Sequence, residues 1–591
     1  MSEIRVDNIR SQSGASSPSF PHGANVTGVV TATTFSGALP AAGLTGTIAD
    51  ARLGTVSSSK LSGALPSLDA SNLTGVKAEP TIDIVASGSI GAGKAVVVTT
   101  DGKAGIVTGT NLGFGDKNDF ATANSSWCDL AYDTTNNKVI IVYRDSGKGS
   151  ARVGTVTGTS ISWGTAVEFE DGEPYYPRVI FNSNTGKVVI INSDSGDNQR
   201  GKCVIGTVSG TSISFGSIVT FTTANTFAQF ALFNVGNTNK FIIGLKNGSS
   251  GTDAICGTIS GTSVTFGTQI ELQGGVPNFM DGAWHTASDT GVIVWYNSAG
   301  QLQTITIVVS GTTITKGDAV QVTNGNNQQA YPCIEYDPVN EKMMIAWMSE
   351  AENTSPERGL MIATGIPVNA SGGTQGLFRV QSVKLIEDVK GEYVSSTFDT
   401  VNNEMYIIYR GESYQAARLV RAKIISGDIE NSSGVLGIGN SFGGYERVAA
   451  TTPVGFAGSY PMAYFSSMAF DPTGKKVFAG FPYYYKPGET SAKLGAVWAS
   501  STQDTNLTSE NFLGFSKASY TDGQTATIKI AGAIDTNQVG LSTSKKYYVL
   551  PDASLTNTPS LSGQFFNDPE GKYGYISAGI ALSTTNLIIK T

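Results

Sequence analysis

"AYDTTNNKVIIVY", residues 131–143, places an aromatic residue and an aspartate ahead of a polar loop that runs straight into an apolar strand. The phrase returns as "IFNSNTGKVVIIN" at 180–192 and "EYDPVNEKMMIAW" at 335–347. Counted from the residue that opens the loop, seven copies occur, anchored at Asp133, Asn182, Asn234, Ser288, Asp337, Asp399 and Asp471. Successive anchors are 49, 52, 54, 49, 62 and 72 residues apart, and an aromatic residue precedes the anchor in six of the seven. A period of this size suits a four-stranded unit repeated along the chain.

Each copy has an internal order. The strand after the loop ("VIIVY", "VVIIN", "FIIGL", "VIVWY", "MMIAW", "MYIIY", "VFAGF") is almost continuously apolar, which predicts burial on both faces. In the first three copies a second strand pair follows, as in "GTVTGTSISWGTAVEF" (154–169), and the fourth carries a worn version, "VVSGTTITKGDAVQV" (308–322). The central "TGTS" or "SGTS" is a turn whose glycine supplies positive φ. Four strands cannot bury two faces alone, whereas units packed side by side around an axis can. The predicted fold is therefore all-β, with a seven-bladed β-propeller over residues 111–511; a β-solenoid would call for shorter and more uniform periods. Asp and Asn at the anchors are expected to brace the hairpin loop through its backbone, because the loops lack the dense carboxylates that calcium favours.

The flanks read differently. Residues 1–80 repeat "SGALP" at 36 and 62 and scatter single apolar residues among small ones, too sparse for a core from one chain. Three chains winding together would bury them, so this segment is expected to be a fibrous, trimerising stalk; a flexible linker is the plain alternative. Residues 81–110 and 512–591 echo one another ("TIDIVASGSIGAGKAVVVTTDGK" against "TIKIAGAIDTNQVGLSTSKKYYVLPDA"), which predicts one small β-domain with the propeller inserted in it.

Composition narrows the function. A net charge of −8, with 39 basic and 47 acidic residues, gives no electrostatic footprint for nucleic acid. The four cysteines (Cys128, Cys203, Cys256, Cys333) are far apart and read as small buried residues, neither a zinc site nor a disulfide framework. "MSEIRVDNIR" lacks the apolar core of a secretory signal and no segment reaches the roughly 18 apolar residues of a membrane span, so synthesis in a cytoplasm and no membrane insertion are expected. With His22 and His285 as the only histidines, no metal triad forms, and neither a phosphate loop nor a sialidase-type Asp box is present. The acids of "EFEDGEP" (Glu168, Glu170, Asp171, Glu173) read as a solvated loop rather than a glycosidase pair. No cofactor or catalytic residue is expected, and the chain does not read as an enzyme. Candidate binding residues are tyrosines on loops, Tyr175 and Tyr176 in "PYYPR" and Tyr483, Tyr484 and Tyr485 in "FPYYYKPG", whose rings stack on the apolar faces of sugars.

The opening "IRVDNIRSQSGASSPSFPHGANVTGVVTATTFSG" and the closing "NFLGFSKASYTDGQTATIKIAG…KKYYVLPDASL…GIALSTTNLIIKT" resemble tail-fibre and related virion proteins of tailed bacteriophages, especially those of marine cyanobacteria. The resemblance covers about a quarter of the chain. It implies a virion component made in the host cytoplasm, assembled as a homotrimer, joined to other tail or baseplate proteins through its N-terminal region and adhering to a host surface polysaccharide. A glycan-cleaving tailspike and an appendage touching only virion proteins are the alternatives.

Overall fold

The segment quoted above folds as the hairpin its pattern predicts. In the computed structural model Ser125–Asp133 pairs antiparallel with Lys138–Asp145, which pairs with Lys148–Thr157; Ser160–Trp163 and Val167–Glu170 then pair in turn along that third strand. The structure describes residues 79–591 apart from short stretches, the longer ones being 351–357, 369–375, 426–446, 456–465, 485–492, 558–564 and 567–575; before residue 79 it describes only Asn25 and Thr27. The expected stalk therefore lies outside the described residues.

The anchor works through the backbone. Asp133 is fully buried, and its Oδ1 accepts the N–H groups of Thr135 and Asn136 at 2.9 Å each while Oδ2 accepts Asn136 Nδ2 at 2.8 Å. The pattern recurs at Asp337 with Val339 and Asn340, at Asp399 with Val401 and Asn402, and at Asp471 with Thr473 and Gly474. These carboxylates are spent on loop amides, and among the described residues no group of three His, Cys, Asp or Glu side chains is placed to hold a metal.

The fourth copy corrects the sequence reading. Its strand ends at His285, which pairs with Thr290 as Asp133 pairs with Lys138, so His285 and not Ser288 is the anchor. The imidazole does the carboxylate's work: Nδ1 accepts the Ser288 N–H at 3.1 Å, which leaves the proton on Nε2 to donate to the Glu341 carbonyl at 2.9 Å. With this register an aromatic residue, here Trp284, precedes all seven anchors. An imidazole offers one acceptor where Asp offers two oxygens, so the loop keeps its amide contact through a residue type that the Asp and Asn pattern of the other anchors does not include.

Among the described residues seven such antiparallel sheets follow one another between residues 113 and 501. Their first strands, Ser125–Asp133, Pro174–Asn182, Ala231–Asn234, Pro277–His285, Gln329–Asp337, Gly391–Asp399 and Ser467–Asp471, each pack on the next, and the last packs on the first. The circuit is also visible in the core. Seven apolar clusters each join two consecutive sheets: Val189 and Ile191 meet Leu232 and Ile243, Val292 and Val294 meet Met343 and Ile345, and Phe478 and Val497 of the last sheet meet Tyr132 and Val139 of the first. A sheet apolar on both faces has no stable existence except between two others. The ring of sheets is a β-propeller. It is closed by the chain's early residues, since Gly113–Phe114 and Asn118–Ala121 supply the outer strand beside Lys493–Ser501 of the last sheet.

The turn motif has a role that its local chemistry does not reveal. Gly158, Gly210, Gly261 and Gly311 sit at φ near +60° (62, 60, 60 and 63), as the first central residue of a two-residue hairpin turn requires. The threonine that follows each glycine then reaches the neighbouring sheet. A Cβ built on Gly164 would lie 1.9 Å from the Thr211 carbonyl oxygen, and one on Gly216 2.0 Å from that of Thr262; Gly267 meets Thr312 in the same way, and Gly115 meets Thr159. Each outer strand thus bends at a glycine to admit the turn of the next sheet.

Beside the ring lies a smaller structure of two five-stranded sheets with matching order. The first runs Thr81–Val85, Thr525–Lys529, Phe512–Ser516, Ala95–Val98, Ala104–Ile106, and the second Ile534–Asp535, Leu587–Ile589, Ser577–Ala581, Lys546–Val549, Leu555–Thr556. They share one core, in which Ala95, Val97 and Phe515 of the first meet Tyr547, Val549, Ala578 and Leu587 of the second. Gly514 at φ +147° and Gly579 at φ +149° occupy equivalent places, each with a neighbouring carbonyl where a Cβ would be. The sheets are structural duplicates: the first is interrupted between residues 106 and 512 by the propeller, the second between 556 and 577 by a short segment. The echo read in the sequence holds for the hairpins 95–106 and 546–556, whereas "TIKI" (527–530) completes the first sheet.

Candidate binding site

The seven inner strands run around the channel in register, and six residues before the anchor five of them bulge. The pairing slips between Ser126 and Cys128, Tyr175 and Arg178, Pro277 and Met280, Ala330 and Cys333, and Glu392 and Ser395. Six residues before each anchor the slip holds Trp127, Tyr176, Phe279, Tyr331 or Tyr393, alone in the first sheet and beside Pro177, Asn278, Pro332 or Val394 in the others. All five are aromatic and all are half-buried. Four sit at positive φ, Trp127 at 45°, Tyr176 at 50°, Tyr331 at 55° and Tyr393 at 57°, a backbone region that bulky residues rarely adopt.

The rings form two arcs, the first of which reaches the central cavity through Trp127 and Tyr176. Trp127 packs on Tyr175 and Tyr176 with centroids 4.7 and 5.7 Å apart. Tyr331 packs on Phe279 at 4.4 Å and on Tyr393 at 5.1 Å. Arg144 lies over Trp127 and Tyr175 and is paired with Glu173; at the equivalent place Arg410 lies over Tyr393 and is paired with Glu392. The collar is thus rimmed by two guanidinium–carboxylate pairs.

Beyond the collar the inner strands carry polar side chains. Asp129 Oδ2 accepts the Val179 N–H of the next sheet at 2.7 Å, and Asp281 Oδ2 accepts that of Ile334 at 3.1 Å. Ser467 repeats the contact, accepting Leu130 N–H at 2.9 Å while donating to Asp129 Oδ1 at 2.6 Å. Arg178 spans from Asp129 (3.2 Å) to Asp281 (3.1 Å), tying the first, second and fourth sheets together. Two positions past this level, Glu335 accepts the Ser396 hydroxyl at 2.9 Å. Burial, helped by the nearby Asp281 charge, pushes the Glu335 carboxyl up to about 8, with Ser396 and Arg178 pulling the other way. Burial also raises Asp281, against the pull of Arg178.

A cavity of about 590 Å³ follows the channel, lined by Trp127 and Tyr176 at the collar, by Asp129, Arg178, Asp281 and Glu335 within, and by Trp284 and Phe398 toward the anchor loops. Trp284 is 8% exposed and among the described residues its indole N–H lacks a hydrogen-bond partner. A concave site with an aromatic entrance and a few converging polar groups is of the kind that binds a small ligand or the end of a larger one.

Of the tyrosines singled out from sequence, Tyr175 and Tyr176 belong to this site. Tyr483 does not: it is fully buried, donating to Asp119 at 3.0 Å and accepting from Lys117 at 3.0 Å beneath the ring-closing strand. Strand alternation turns it inward, so it offers no surface for a sugar. The Tyr484 side chain and Tyr485 lie outside the described residues. Glu168 pairs with Lys148 at the surface, Glu170 is buried and accepts the Gly172 N–H, and neither lines the channel. All four cysteines are buried and unpaired with one another. Sequence reasoning missed Trp127, Phe279, Tyr331 and Tyr393, although the signal was there: aligned on the corrected anchors, these residues and Tyr176 fall in one column.

No protein-family model matches the chain, and no curated protein matches it. Among solved structures it is similar to the β-propeller domain of Cps50 (Swd1) from Myceliophteria thermophila, at 9% identity and a TM-score of 0.37 over 65% of this chain and 99% of that one. It is similar also to Sqt1 from Chaetomium thermophilum (10%, 0.36, over 66% and 90%) and to a protein from Lactobacillus plantarum (9%, 0.37, over 51% and 81%). Similarity this distant carries no functional argument, and the fold stands on the strand pairing and the circuit of cores.

Proposed function

We propose that the chain is a non-enzymatic adhesion protein that grips a surface glycan at the aromatic collar of a seven-bladed propeller. The observation that carries this reading is the collar itself. Five aromatic residues share one register position, four of them in strained backbone, and two of them, Trp127 and Tyr176, line a polar cavity; backbone strain in rigid sheets is retained where a side chain's direction matters. Sugar rings offer apolar faces to stack on aromatics and hydroxyls for a polar lining to bond. On the resemblance of its ends to phage tail proteins, we place the molecule in a virion, as a tail fibre or related appendage. There the N-terminal stalk joins three copies to other tail or baseplate proteins, and the propellers meet a host polysaccharide. Three linked sites turn weak single contacts into firm attachment.

The test is retention on host cells or immobilised host envelope polysaccharide. Wild-type protein is expected to be retained and Trp127→Ala with Tyr331→Ala to be washed off while still folded; equal retention of both overturns the assignment of the site. Glu335, a carboxyl held protonated near neutral pH inside the cavity, favours one second reading, glycan cleavage with Glu335 as acid. Reducing ends released from the polysaccharide by wild type but not by Glu335→Gln would replace adhesion by hydrolysis. Light scattering that finds a single subunit would remove the trimeric stalk.

A further inference from the structure

We infer that the glycan presents a free amino group, and that the channel holds it as an ammonium ion against Glu335. The inference rests on the glycan reading above and narrows its ligand. Four charged side chains line the cavity, three acidic (Asp129, Asp281, Glu335) and one basic (Arg178). Arg178 is shared between the two aspartates at 3.2 and 3.1 Å, and both aspartates also accept backbone N–H groups, so their carboxylate oxygens already have partners within the protein. Among the described residues Glu335 has one hydroxyl, Ser396, as its hydrogen-bonding partner and no cation paired with it. The rim cannot supply the missing charge, because Arg144 and Arg410 are each matched by their own glutamate.

The environment suits a cation in two further respects. Trp284, Tyr336 and Phe398 are also among the residues that line the cavity, and ring faces attract an ammonium ion most strongly where water is excluded. The Trp284 indole N–H, nine-tenths buried and without a partner among the described residues, is a further donor in the cavity lining that matches a sugar hydroxyl or ring oxygen. A sugar carboxylate or N-acetyl group at this point would bring no positive charge and would leave Glu335 protonated. A carboxyl without a counter-charge resists ionisation, and the arriving ammonium supplies that charge. The groups facing Glu335 from neighbouring strands are Asp281, Arg178 and Ser396, with Cys333 on its own strand; none of them is a free cation.

Calorimetric titration of the full chain with short oligomers of glucosamine and of N-acetylglucosamine tests this directly. The amino form is expected to bind at least about tenfold more tightly, the scale of one desolvated charge contact, and to release a proton from Glu335 that appears as a dependence of the measured heat on the buffer's ionisation enthalpy. Glu335→Gln, checked for folding by its thermal transition, is expected to abolish both the preference and the proton release; Tyr331→Ala is expected to weaken both oligomers alike. Equal affinity for the two oligomers, or a preference that survives in Glu335→Gln, overturns the inference and leaves glycan adhesion standing. Binding of neither oligomer while host polysaccharide is still retained does the same. Failure to retain the polysaccharide overturns the adhesion reading itself.

Discussion

The first four sheets and the last three are built to different standards of regularity. Sheets one to four repeat a 49- to 52-residue unit, each with its glycine-first turn and its bent outer strand receiving the next sheet's turn. In sheets five to seven the spacing from Asp337 to Asp399 and then Asp471 grows to 62 and 72 residues and the turn motif is gone, although the last sheet keeps the bend, at Gly115, where it receives the turn of the first. Yet Met343–Met348, Met405–Tyr409 and Val477–Ala479 are buried as deeply as Val139–Val142. The ring is therefore specified by its three inner strands, whose two apolar faces must be covered. The outer strand is free to vary wherever loops or other strands take over its edge, as Arg447–Thr451 and Gly113–Phe114 do in the last two sheets.

This contrast can be broken at its strongest point in sheet six. Arg421 is 1% exposed and its Nη1 donates to Glu404 at 3.1 Å, within the third strand that replaces the regular apolar pattern. Burial raises the Glu404 carboxyl against the pull of Arg421, so Arg421→Ala would strand it; a loss of about 3–5 kcal/mol, read from the denaturant midpoint, is expected. Replacing both partners by leucine should cost much less. In the regular half, Gly216→Ala drives a Cβ onto the Thr262 carbonyl and should cost about 1–3 kcal/mol, whereas the same change at a glycine of sheets five to seven that touches no neighbour should not reproduce it. If Gly216→Ala were neutral, the turn-into-bend contact would be decoration rather than structure.

Smaller effects sharpen the picture. His285→Ala removes the acceptor for Ser288 and the donor to Glu341, an expected cost of about 1–2 kcal/mol, and His285→Asn should recover part of it by restoring an acceptor to the loop. The least effect at low pH belongs to Glu335→Gln. The folded-state carboxyl ionises near 8 rather than its ordinary value of 4.5, so the native protein holds a proton that the unfolded chain has released. Wild-type stability should consequently decline as pH rises from about 5 to about 8, and the variant should lack that decline. Thermal transitions across this interval decide it; parallel profiles would show that Glu335 ionises normally.

Much of the ring could be read in advance because its grammar is local. An anchor that accepts the amides of its own loop, an apolar strand after it and a glycine-led turn are each written within about ten residues, and their recurrence announces side-by-side packing. The fourth anchor was misplaced because an imidazole performs a carboxylate's task, an equivalence visible only once Ser288 N is seen pointing at Nδ1. Tyr483 was misjudged for a related reason: a run of tyrosines in a strand alternates between core and surface, and the ring-closing strand that buries it comes from residues more than 360 positions earlier.

The candidate site shows the same division. Nothing near Trp127 in the chain marks it as a neighbour of Tyr176, and nothing near Arg178 foretells that it will hold Asp129 and Asp281 together. By itself the chain determined an all-β fold, the repeat, the loop chemistry and the burial of the four cysteines, because these follow from hydrogen bonding and hydrophobicity over short stretches. The collar, the spent arginine and the glutamate left without a counter-charge were decided by tertiary structure alone. They depend on which strands the closed circuit sets side by side, and closure is a property of the whole ring.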